Sequence, residues 1–321
     1  MRRFVAVRLV HAIVVLFLVT TIAFFLVHLA PGDPFSFENS RVSGAIRDQW
    51  RRQFGYDRPL LEQYVRYVGS VAQGKLGYSH SQHMPVSRVL ATTFPRTLLL
   101  MGLALAISFA LGIRLGVYEA THWRSRKARA TNSASLLVYS LPDFWLALML
   151  LLAFAYWIPV LPAGGMVDDV LHPYMSTGAA LWDRIRHLTL PLLTLTLLIT
   201  AMIARYQRAA LLEVLPSDYV RTARAKGLDE RSVVSRHALR NALLPMITLA
   251  GLAFPALLGG AVFVERVFSW PGMGMMVATA IFVRDYPLIL ASVIVGALMV
   301  ILGNLLADIA YGLADPRVRV R

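Results

Sequence analysis

Residues 9–29 read LVHAIVVLFLVTTIAFFLVHL, a run of 21 residues without Asp, Glu, Lys or Arg. An α-helix rises about 1.5 Å per residue, so a helix of this length crosses the hydrocarbon core of a bilayer, which is about 30 Å thick. The run is longer than the apolar core of a cleaved signal peptide, and no small-residue cleavage site follows it. We therefore predict a retained transmembrane helix.

Five further apolar stretches are long enough to cross a bilayer. Together with the first, they cover residues 9–29, 97–117, 133–158, 188–204, 242–264 and 286–307. The composition agrees, since 57% of the residues are hydrophobic and 16% are charged, whereas soluble domains carry about a quarter charged residues. The sequence predicts an all-α membrane protein with six transmembrane helices.

The basic residues predict the orientation of these helices. If the N-terminus is cytoplasmic, 19 of the 32 Lys and Arg residues lie in cytoplasmic segments, including those at 114–129 and 205–240. Both termini are therefore predicted to be cytoplasmic. The net charge of +14 would also suit nucleic acid, but its placement between apolar runs favours a membrane, and we predict no nucleic-acid partner.

The residues that carry catalytic or metal chemistry are absent or isolated. The sequence contains no cysteine and no Gly-x-x-x-x-Gly-Lys-Ser/Thr phosphate loop. His80 and His83 form a His-x-x-His pair, but no third or fourth ligand follows at a suitable spacing. We predict that the chain is not an enzyme and holds no metal or cofactor.

The connection at residues 30–96 is long and is predicted to lie outside the membrane. A polar helix is predicted over residues 43–54, followed by a second helix capped by Asp57 with Pro59 in its first turn. The second helix has one apolar face, formed by Leu61, Val65, Val68 and Ala72. This face predicts a small cap that packs on the membrane domain, with docking of a partner as the alternative.

The other two outer connections are shorter. Residues 159–187 are rich in Pro, Gly and Asp and are predicted to be a loop. Residues 268–274, FSWPGMG, predict a tight turn with Trp270 at the level of the lipid headgroups. Glu265 and Asp308 lie near the ends of predicted helices, and we expect interfacial positions for both.

The segment between the fourth and fifth predicted helices reads SDYVRTARAKGLDE over residues 217–230. Pro216 and Ser217 predict the start of a short helix, and Gly227 predicts its end. Asp229 is predicted to cap a further helix that runs toward Pro245. A short basic helix of this kind either rests on acidic headgroups or serves as a docking helix. Ala223 and Ala225 favour docking, because small side chains allow another protein to approach closely.

This segment also carries a family resemblance. Residues 218–227, DYVRTARAKG, followed by HALRNALLP at 237–245, resemble the coupling loop of permease subunits of bacterial ABC importers, most closely the dipeptide/oligopeptide B-type subunits. Residues 31–34, 268–274 and 315–317 also resemble that family, so the resemblance covers nearly the whole chain. It departs from the broad importer signature, which has Glu-Ala-Ala before its glycine, where this chain has Arg221, Thr222 and Ala223.

The resemblance implies a type I ABC importer permease fold in the cytoplasmic (inner) membrane, with a partly helical extracytoplasmic loop after the first helix. The implied parts are a first helix and outer loop at 1–95, a five-helix core at 96–310 with a coupling loop at 205–241, and a cytoplasmic tail at 311–321. The implied partners are membrane lipid, a second, C-type permease subunit, two ATPase subunits that bind ATP and Mg, and an extracytoplasmic solute-binding protein. The implied cargo is peptide, although similar permeases carry nickel chelates or glutathione.

The resemblance further implies two groups of functional residues. The ATPase-coupling residues are Asp218, Tyr219, Arg221, Thr222, Ala223, Arg224, Ala225, Lys226, Gly227 and Leu228. The candidates for the translocation path or gate are Asp143, Pro255, Gly259 and Gly260; an interfacial position is the simpler interpretation of Asp143, and packing is the alternative for the other three. The rival functions are an ion-gradient-driven transporter, which favours paired acids deep in the helices and two related halves, and an intramembrane enzyme, which needs convergent polar residues at one depth. Neither pattern is evident in the sequence.

Overall fold

A computed structural model of the chain describes residues 2–30, 44–254, 257 and 261–314. The helices before the middle of the chain are α1 Arg2–Leu29, α2 Gly44–Phe54, α3 Leu60–Ala72, α4 Val86–Thr121, α5 Arg126–Ser140 and α6 Asp143–Leu151, the last continued by a π-helical turn at Leu152–Trp157. The later helices are α7 Thr177–Val214, α8 Asp218–Ala225, α9 Glu230–Ser232, a π-helical turn at Val233–Ala238, α10 Leu239–Ala242, α11 Leu244–Ala253, α12 Val262–Val267, α13 Met273–Phe282 and α14 Tyr286–Ala314. A 3₁₀ turn lies at His172–Tyr174, and strands β1 Tyr78–Ser79 and β2 Met84–Pro85 form a short antiparallel hairpin.

Four of the described helices are long and apolar enough to cross a membrane. Their spans are Val10–Leu29, Val86–Thr121, Thr177–Val214 and Tyr286–Ala310, and a fifth is present if α5 and α6 together form one bent crossing. The predicted all-α membrane fold is therefore confirmed, with four or five spans among the described residues. The predicted crossing at 242–264 is divided between α11 and α12, and Pro255, Gly259 and Gly260 lie outside the described residues.

The bend between α5 and α6 measures 102°, where the sequence predicts one uninterrupted helix over residues 133–158. The cause is Pro142. A proline disfavours helical backbone in the residue before it, and Leu141 is extended, with φ −79° and ψ 137°. The helix is therefore interrupted for two residues after Ser140 and restarts at Asp143.

Helices α4 and α7 form the most extensive helix pair of the bundle. Two glycines of α4 allow their backbones to approach. A Cβ atom at Gly112 would lie 2.7 Å from Cβ of Ile203, and one at Gly116 would lie 2.5 Å from the Ala204 carbonyl oxygen. Small residues at helix contacts are typical of membrane proteins, where close packing replaces the hydrophobic effect.

Helices α1 and α14 pack antiparallel at one edge of the bundle. Arg8 forms an ion pair with Asp308 at one end of this pair, and the rings of His28 and Tyr286 lie 5.2 Å apart at the other. The start of α1 and the end of α14 therefore lie at the same end of the bundle. The prediction of an interfacial Asp308 misses this pairing.

The β-hairpin is anchored to the start of α14. The Asp285 carboxylate is buried and accepts hydrogen bonds from the hydroxyl groups of Ser79, at 2.5 Å, and Ser81, at 2.7 Å. A charged group is stable in a buried position when several donors replace its hydration. These bonds fix the connection between α3 and α4 to the end of the bundle that contains Tyr286.

Two local predictions are wrong. Residues 159–187 are predicted to be a loop, but α7 begins at Thr177 and is 38 residues long, about 57 Å at 1.5 Å per residue. The helix thus extends past the apolar stretch, and its extension is polar enough to resemble a loop in sequence. Asp57 does not cap α3, because Pro59 occupies the N-cap position and the helix begins at Leu60.

Candidate functional site

Helix α8 follows α7 directly and has the limits that the sequence predicts. Ser217 is its N-cap, with extended backbone, and its hydroxyl donates to the Val214 carbonyl, at 2.7 Å, rather than accepting from α8. The helix ends at Ala225, and Gly227 has a φ of +78°, in the left-handed region that glycine adopts without strain. Both ends of α8 are therefore fixed by backbone geometry.

The apolar side of α8 packs on the rest of the chain. Val220 and Ala223 are its two buried residues. They belong to a cluster at the ends of α4 and α7 and in the segment after α8, together with Ala120, Leu211, Val233, Val234, Ala238 and Ala242. Ala223 is only 4% exposed, so the prediction that its small side chain faces a partner protein is wrong. Only Ala225 of the two alanines is exposed.

Hydrogen bonds hold α8 to the segment that follows it. Arg224 donates to the Glu230 carboxylate through Nη2, at 2.8 Å, and Nε, at 3.1 Å, and its Nη1 donates to the Leu215 carbonyl, at 3.3 Å. This pairing raises the pKa of Arg224 and lowers that of Glu230. Asn241 Nδ2 donates to the Tyr219 hydroxyl at 2.7 Å. The helix is therefore attached at both ends.

Glu230 and Asn241 are absent from the residues that the sequence singles out. Glu230 lies after the turn at Gly227, which brings its side chain back toward α8. The opposite charges of Arg224 and Glu230 are the sequence signal from which this pair could have been predicted. Asp229, by contrast, is a confirmed prediction, because its carboxylate accepts from the Ser232 backbone N–H at 3.0 Å. Hydrogen bonds from the Ser232 hydroxyl and from its backbone N–H lower the pKa of Asp229, and the latter fixes the start of α9.

The remaining residues of the predicted coupling group form one exposed surface. They are Asp218, Tyr219, Arg221, Thr222, Arg224, Ala225, Lys226, Gly227 and Leu228. Tyr219 and Leu228 are large side chains left open at this surface. Arg221 pairs with Asp218 at 2.7 Å, but both are strongly exposed and such pairs contribute little stability. A rigid helix with exposed aromatic, aliphatic and basic side chains suits insertion into a groove of another protein.

Of the predicted path residues, Asp143 alone lies among the described residues, so their grouping stays a prediction. Asp143 is the first residue of α6, beside the bend, and its Oδ1 accepts from the Phe144 backbone N–H at 2.8 Å. Pro255, Gly259 and Gly260 lie outside the described residues. His80 and His83 lie in the connection between β1 and β2, and the described residues contain no group of three or more metal-ligating side chains.

A buried polar network occupies the opposite end of α4. Glu265 is fully buried; its Oε1 accepts from the Thr97 hydroxyl at 2.8 Å, and its Oε2 accepts from the Met275 backbone N–H at 2.8 Å. The Thr97 hydroxyl oxygen also accepts from the Met273 backbone N–H at 2.7 Å. The prediction of an interfacial Glu265 is wrong, because these donors replace water around its carboxyl group.

The turn at residues 268–274 folds inward onto this network. Trp270 is buried, and its indole N–H donates to the Arg96 carbonyl at 3.2 Å. A side chain at Gly272 would overlap the Thr97 hydroxyl and the Glu265 carboxyl group. The prediction of Trp270 at the lipid headgroups is therefore wrong, since its ring packs inside the protein between α4 and the turn.

Comparisons with known proteins agree with this architecture. The family described as binding-protein-dependent transport system inner membrane component matches residues 92–320, and the family of the corresponding N-terminal segment matches residues 1–101. The oligopeptide transport system permease protein AppB of Bacillus subtilis is 36% identical over 99% of each chain. The di/tripeptide transport system permease protein DppB of Pseudomonas aeruginosa is 40% identical over 99% of each chain. The dipeptide transport system permease protein DppB of Escherichia coli is 36% identical over 94% of each chain.

These matches extend along the whole chain and include the exposed helix α8 and the turn at 268–274. Helices α4, α7 and α14 all lie within the longer match. The chain therefore belongs to the family of inner membrane components of binding-protein-dependent transport systems.

Proposed function

We propose that this chain is a permease subunit of an ATP-driven peptide importer and that α8 is the helix on which an ATPase subunit acts. The observation that carries the proposal is the two-sided nature of α8. Val220 and Ala223 fix one side to the bundle, while Tyr219, Lys226 and Leu228 stay open on the other. A helix held in this way presents a docking surface and also transmits displacement.

The packing of α8 supports a route for that displacement. Val220 and Ala223 share a cluster with Ala120 at the end of α4 and Leu211 near the end of α7. These two long helices pack closely at Gly112 and Gly116. A push on α8 is therefore delivered to a pair of helices that move as a unit, because packed cores deform little.

The proposed orientation places α8 in the cytoplasm. Residues 205–240 carry eight Lys and Arg residues, as the positive-inside rule requires for a cytoplasmic segment. The ion pair between Arg8 and Asp308 shows that the start of α1 and the end of α14 lie at the same end of the bundle. We assign six crossings, with α5–α6 as the third and α11–α12 as the fifth, and cytoplasmic termini.

The proposed complex contains partners that supply what this chain lacks. A phosphate loop is absent from the sequence, so ATP and Mg bind to two separate ATPase subunits. A second permease subunit completes the path, and an extracytoplasmic solute-binding protein delivers the cargo. Peptide is the proposed cargo because relatives that cover nearly the whole chain are named as oligopeptide, dipeptide and di/tripeptide permeases.

Cross-linking of introduced cysteines tests the docking role, since the chain has no native cysteine. Ala225→Cys places a thiol on the exposed side of α8, and Ala223→Cys places the matched thiol on its buried side. We expect Ala225→Cys to cross-link to a coexpressed ATPase subunit and Ala223→Cys not to. Equal cross-linking at both positions, or none at Ala225→Cys in a complex that copurifies, would contradict the proposed surface.

A further inference from the structure

A layer of polar side chains is buried where α4, α5 and α7 meet. Glu119 of α4 and Gln207 of α7 are 1% and 0% exposed, and Arg208, next to Gln207, is partly buried. Gln207 and Arg208 pack on Gly116, because a Cβ atom there would lie 2.8 Å from Cβ of Gln207 and 3.0 Å from the Arg208 backbone nitrogen. Gly116 lies about one turn before Glu119, so α4 presents Glu119 on the face that contacts α7.

Four polar atoms of this layer are enclosed without a hydrogen-bond partner in the part of the chain that the structure describes. They are two acceptors, Glu119 Oε2 and Gln207 Oε1, and two donors, Gln207 Nε2 and Arg208 Nε. The other carboxylate oxygen of Glu119 accepts from the Ser135 hydroxyl of α5, through a long hydrogen bond of 3.3 Å. Buried polar groups of native proteins are almost always paired, and an unpaired one costs free energy. This conformation of the layer is therefore unfavourable.

The four unpaired atoms are complementary to one another. The Gln207 amide can donate an N–H to Glu119 Oε2, and its oxygen can accept from Arg208 Nε. Arg208 is also close enough to Glu119 for their opposite charges to attract. A change of side-chain rotamers would thus join the three residues in one chain of hydrogen bonds, without any change in the packing of α4 on α7. The contact that opposes this change is Ser135, which holds the Glu119 carboxylate toward α5.

The polar layer lies directly beside the apolar cluster under α8. Ala120, which follows Glu119 in α4, belongs to that cluster. So does Leu211, which lies one turn after Gln207 in α7. The described residues of the cluster include none from α5. A displacement of α8 therefore acts on α4 and α7 and moves Glu119 relative to Ser135.

We propose that Glu119 exchanges hydrogen-bond partners during transport, from Ser135 in this conformation to the Gln207 amide in the conformation that a push on α8 produces. Arg208 then donates to the Gln207 oxygen, and all four atoms are paired. Because the unpaired atoms raise the free energy of this conformation alone, the exchange favours the transition once the Ser135 contact is broken. Glu119, Gln207 and Arg208 are positioning residues, which act through the helices that carry them. The inference rests on the proposed function for the source of the push.

The test removes the unpaired amide from the reconstituted complex. Gln207→Met keeps the length of the side chain without its polar atoms, so we expect the melting temperature of the nucleotide-free complex to rise by about 2–4 °C. In the complex trapped with ATP and vanadate, where the amide is paired, the same variant should lower the melting temperature. Peptide-stimulated ATP hydrolysis should fall roughly tenfold, because the variant favours the starting conformation. Gln207→Ala leaves a cavity in both conformations, so the melting temperatures of its two complexes should differ in the same direction.

Thr196→Val is the matched control. The Thr196 hydroxyl is also buried on α7 and unpaired among the described residues, but it lies about three turns before Gln207, away from α8. The control should shift both melting temperatures equally and leave ATP hydrolysis unchanged. Equal stabilisation of both complexes by Gln207→Met, or destabilisation of the nucleotide-free complex, would overturn the proposal. Cross-linking of Ala225→Cys in a chain with an unchanged polar layer tests docking separately, so a failure of the partner exchange is distinguishable from a failure of α8 as the docking helix.

Discussion

Arg224 and Glu230 are joined by two hydrogen bonds, at 2.8 and 3.1 Å, that bridge the glycine turn after α8. The pair ties the end of α8, the proposed docking helix, to Glu230 at the start of α9. It lies in the loop where the broad importer signature carries a glutamate and this chain has Arg221. In this chain Glu230, three residues after Gly227, is bonded to Arg224 of the same loop.

A charge exchange tests whether this pair acts within the chain. Arg224→Glu alone and Glu230→Arg alone each place like charges together, and we expect several-fold lower peptide-stimulated ATP hydrolysis by the reconstituted complex. The double variant Arg224→Glu/Glu230→Arg restores opposite charges and should recover most of the activity. Failure of the double variant to recover would mean that Arg224 contacts the ATPase directly.

The buried side of α8 predicts a separation of membrane insertion from ATPase binding. Val220→Asp places a carboxylate in the apolar cluster under α8, at a cost of several kcal/mol for an unpaired buried charge. We expect normal membrane insertion and loss of copurifying ATPase. Gln73→Asp, at an exposed position just after α3 and far from α8, is the control and should retain the ATPase. The reverse pattern would place the docking surface elsewhere.

The conformation of Gly227 predicts a graded series. No atom lies within 4 Å of the position that a Cβ would occupy, so only the φ of +78° penalises a side chain. Gly227→Asn should be tolerated because asparagine adopts left-handed backbone, whereas Gly227→Val should disturb the end of α8 by about 1–2 kcal/mol. ATPase copurification is the measurement. Equal effects of Asn and Val would show that size, not backbone conformation, matters there.

The α4–α7 contact predicts different outcomes for two glycines in one helix. Gly116→Ala brings a Cβ into overlap with the Ala204 carbonyl, whereas Gly102→Ala meets no atom within 4 Å. We expect Gly116→Ala to destabilise the chain by about 1–3 kcal/mol and Gly102→Ala to be neutral or stabilising, since alanine favours helices. Thermal unfolding in detergent is the measurement, and equal melting temperatures would contradict the close contact.

The buried network at Glu265 predicts sensitivity to a neutral isostere. Glu265→Gln keeps the shape of the side chain, but its amide NH₂ must face one of two donors, the Thr97 hydroxyl or the Met275 backbone N–H. We therefore expect the free energy of unfolding to fall by about 1–3 kcal/mol. Glu213→Gln, at an exposed position of α7, is the control. Melting temperatures decide the matter, and no difference between the two variants would indicate that Glu265 is already protonated.

The sequence predicts correctly what depends on local residues. The uncharged run that ends at Leu29 gives the span of α1, and Ser217 and Gly227 give the limits of α8. Asp229 is recognised as a cap because a cap bonds to a residue only three positions later. Each of these features depends on residues that are neighbours along the chain, so it can be predicted without knowing the tertiary structure.

The errors concern groups whose partners are distant in sequence. Glu265 is assigned to an interface because nothing near it reveals that Thr97, 168 positions away, would donate to it. Ala223 is assigned to the exposed side of α8 because an amphipathic helix in a basic loop does not show which apolar residues its own bundle covers. The bend after Leu141 is the exception, because Pro142 supplied a local signal that the hydropathy of the stretch outweighed.

The glycine contact between α4 and α7 also constrains the order of assembly during synthesis. Gly116 cannot meet its partners until α7 has been made, and ribosomes add about 5–20 residues per second. The roughly 90 residues between Gly116 and its contact residues Ala204 and Arg208 therefore leave the glycine face of α4 against lipid, or against the insertion machinery, for about 5–20 seconds. Until then the glycine face of this helix has no partner in the chain, and this interval is when misassembly of the bundle competes with folding.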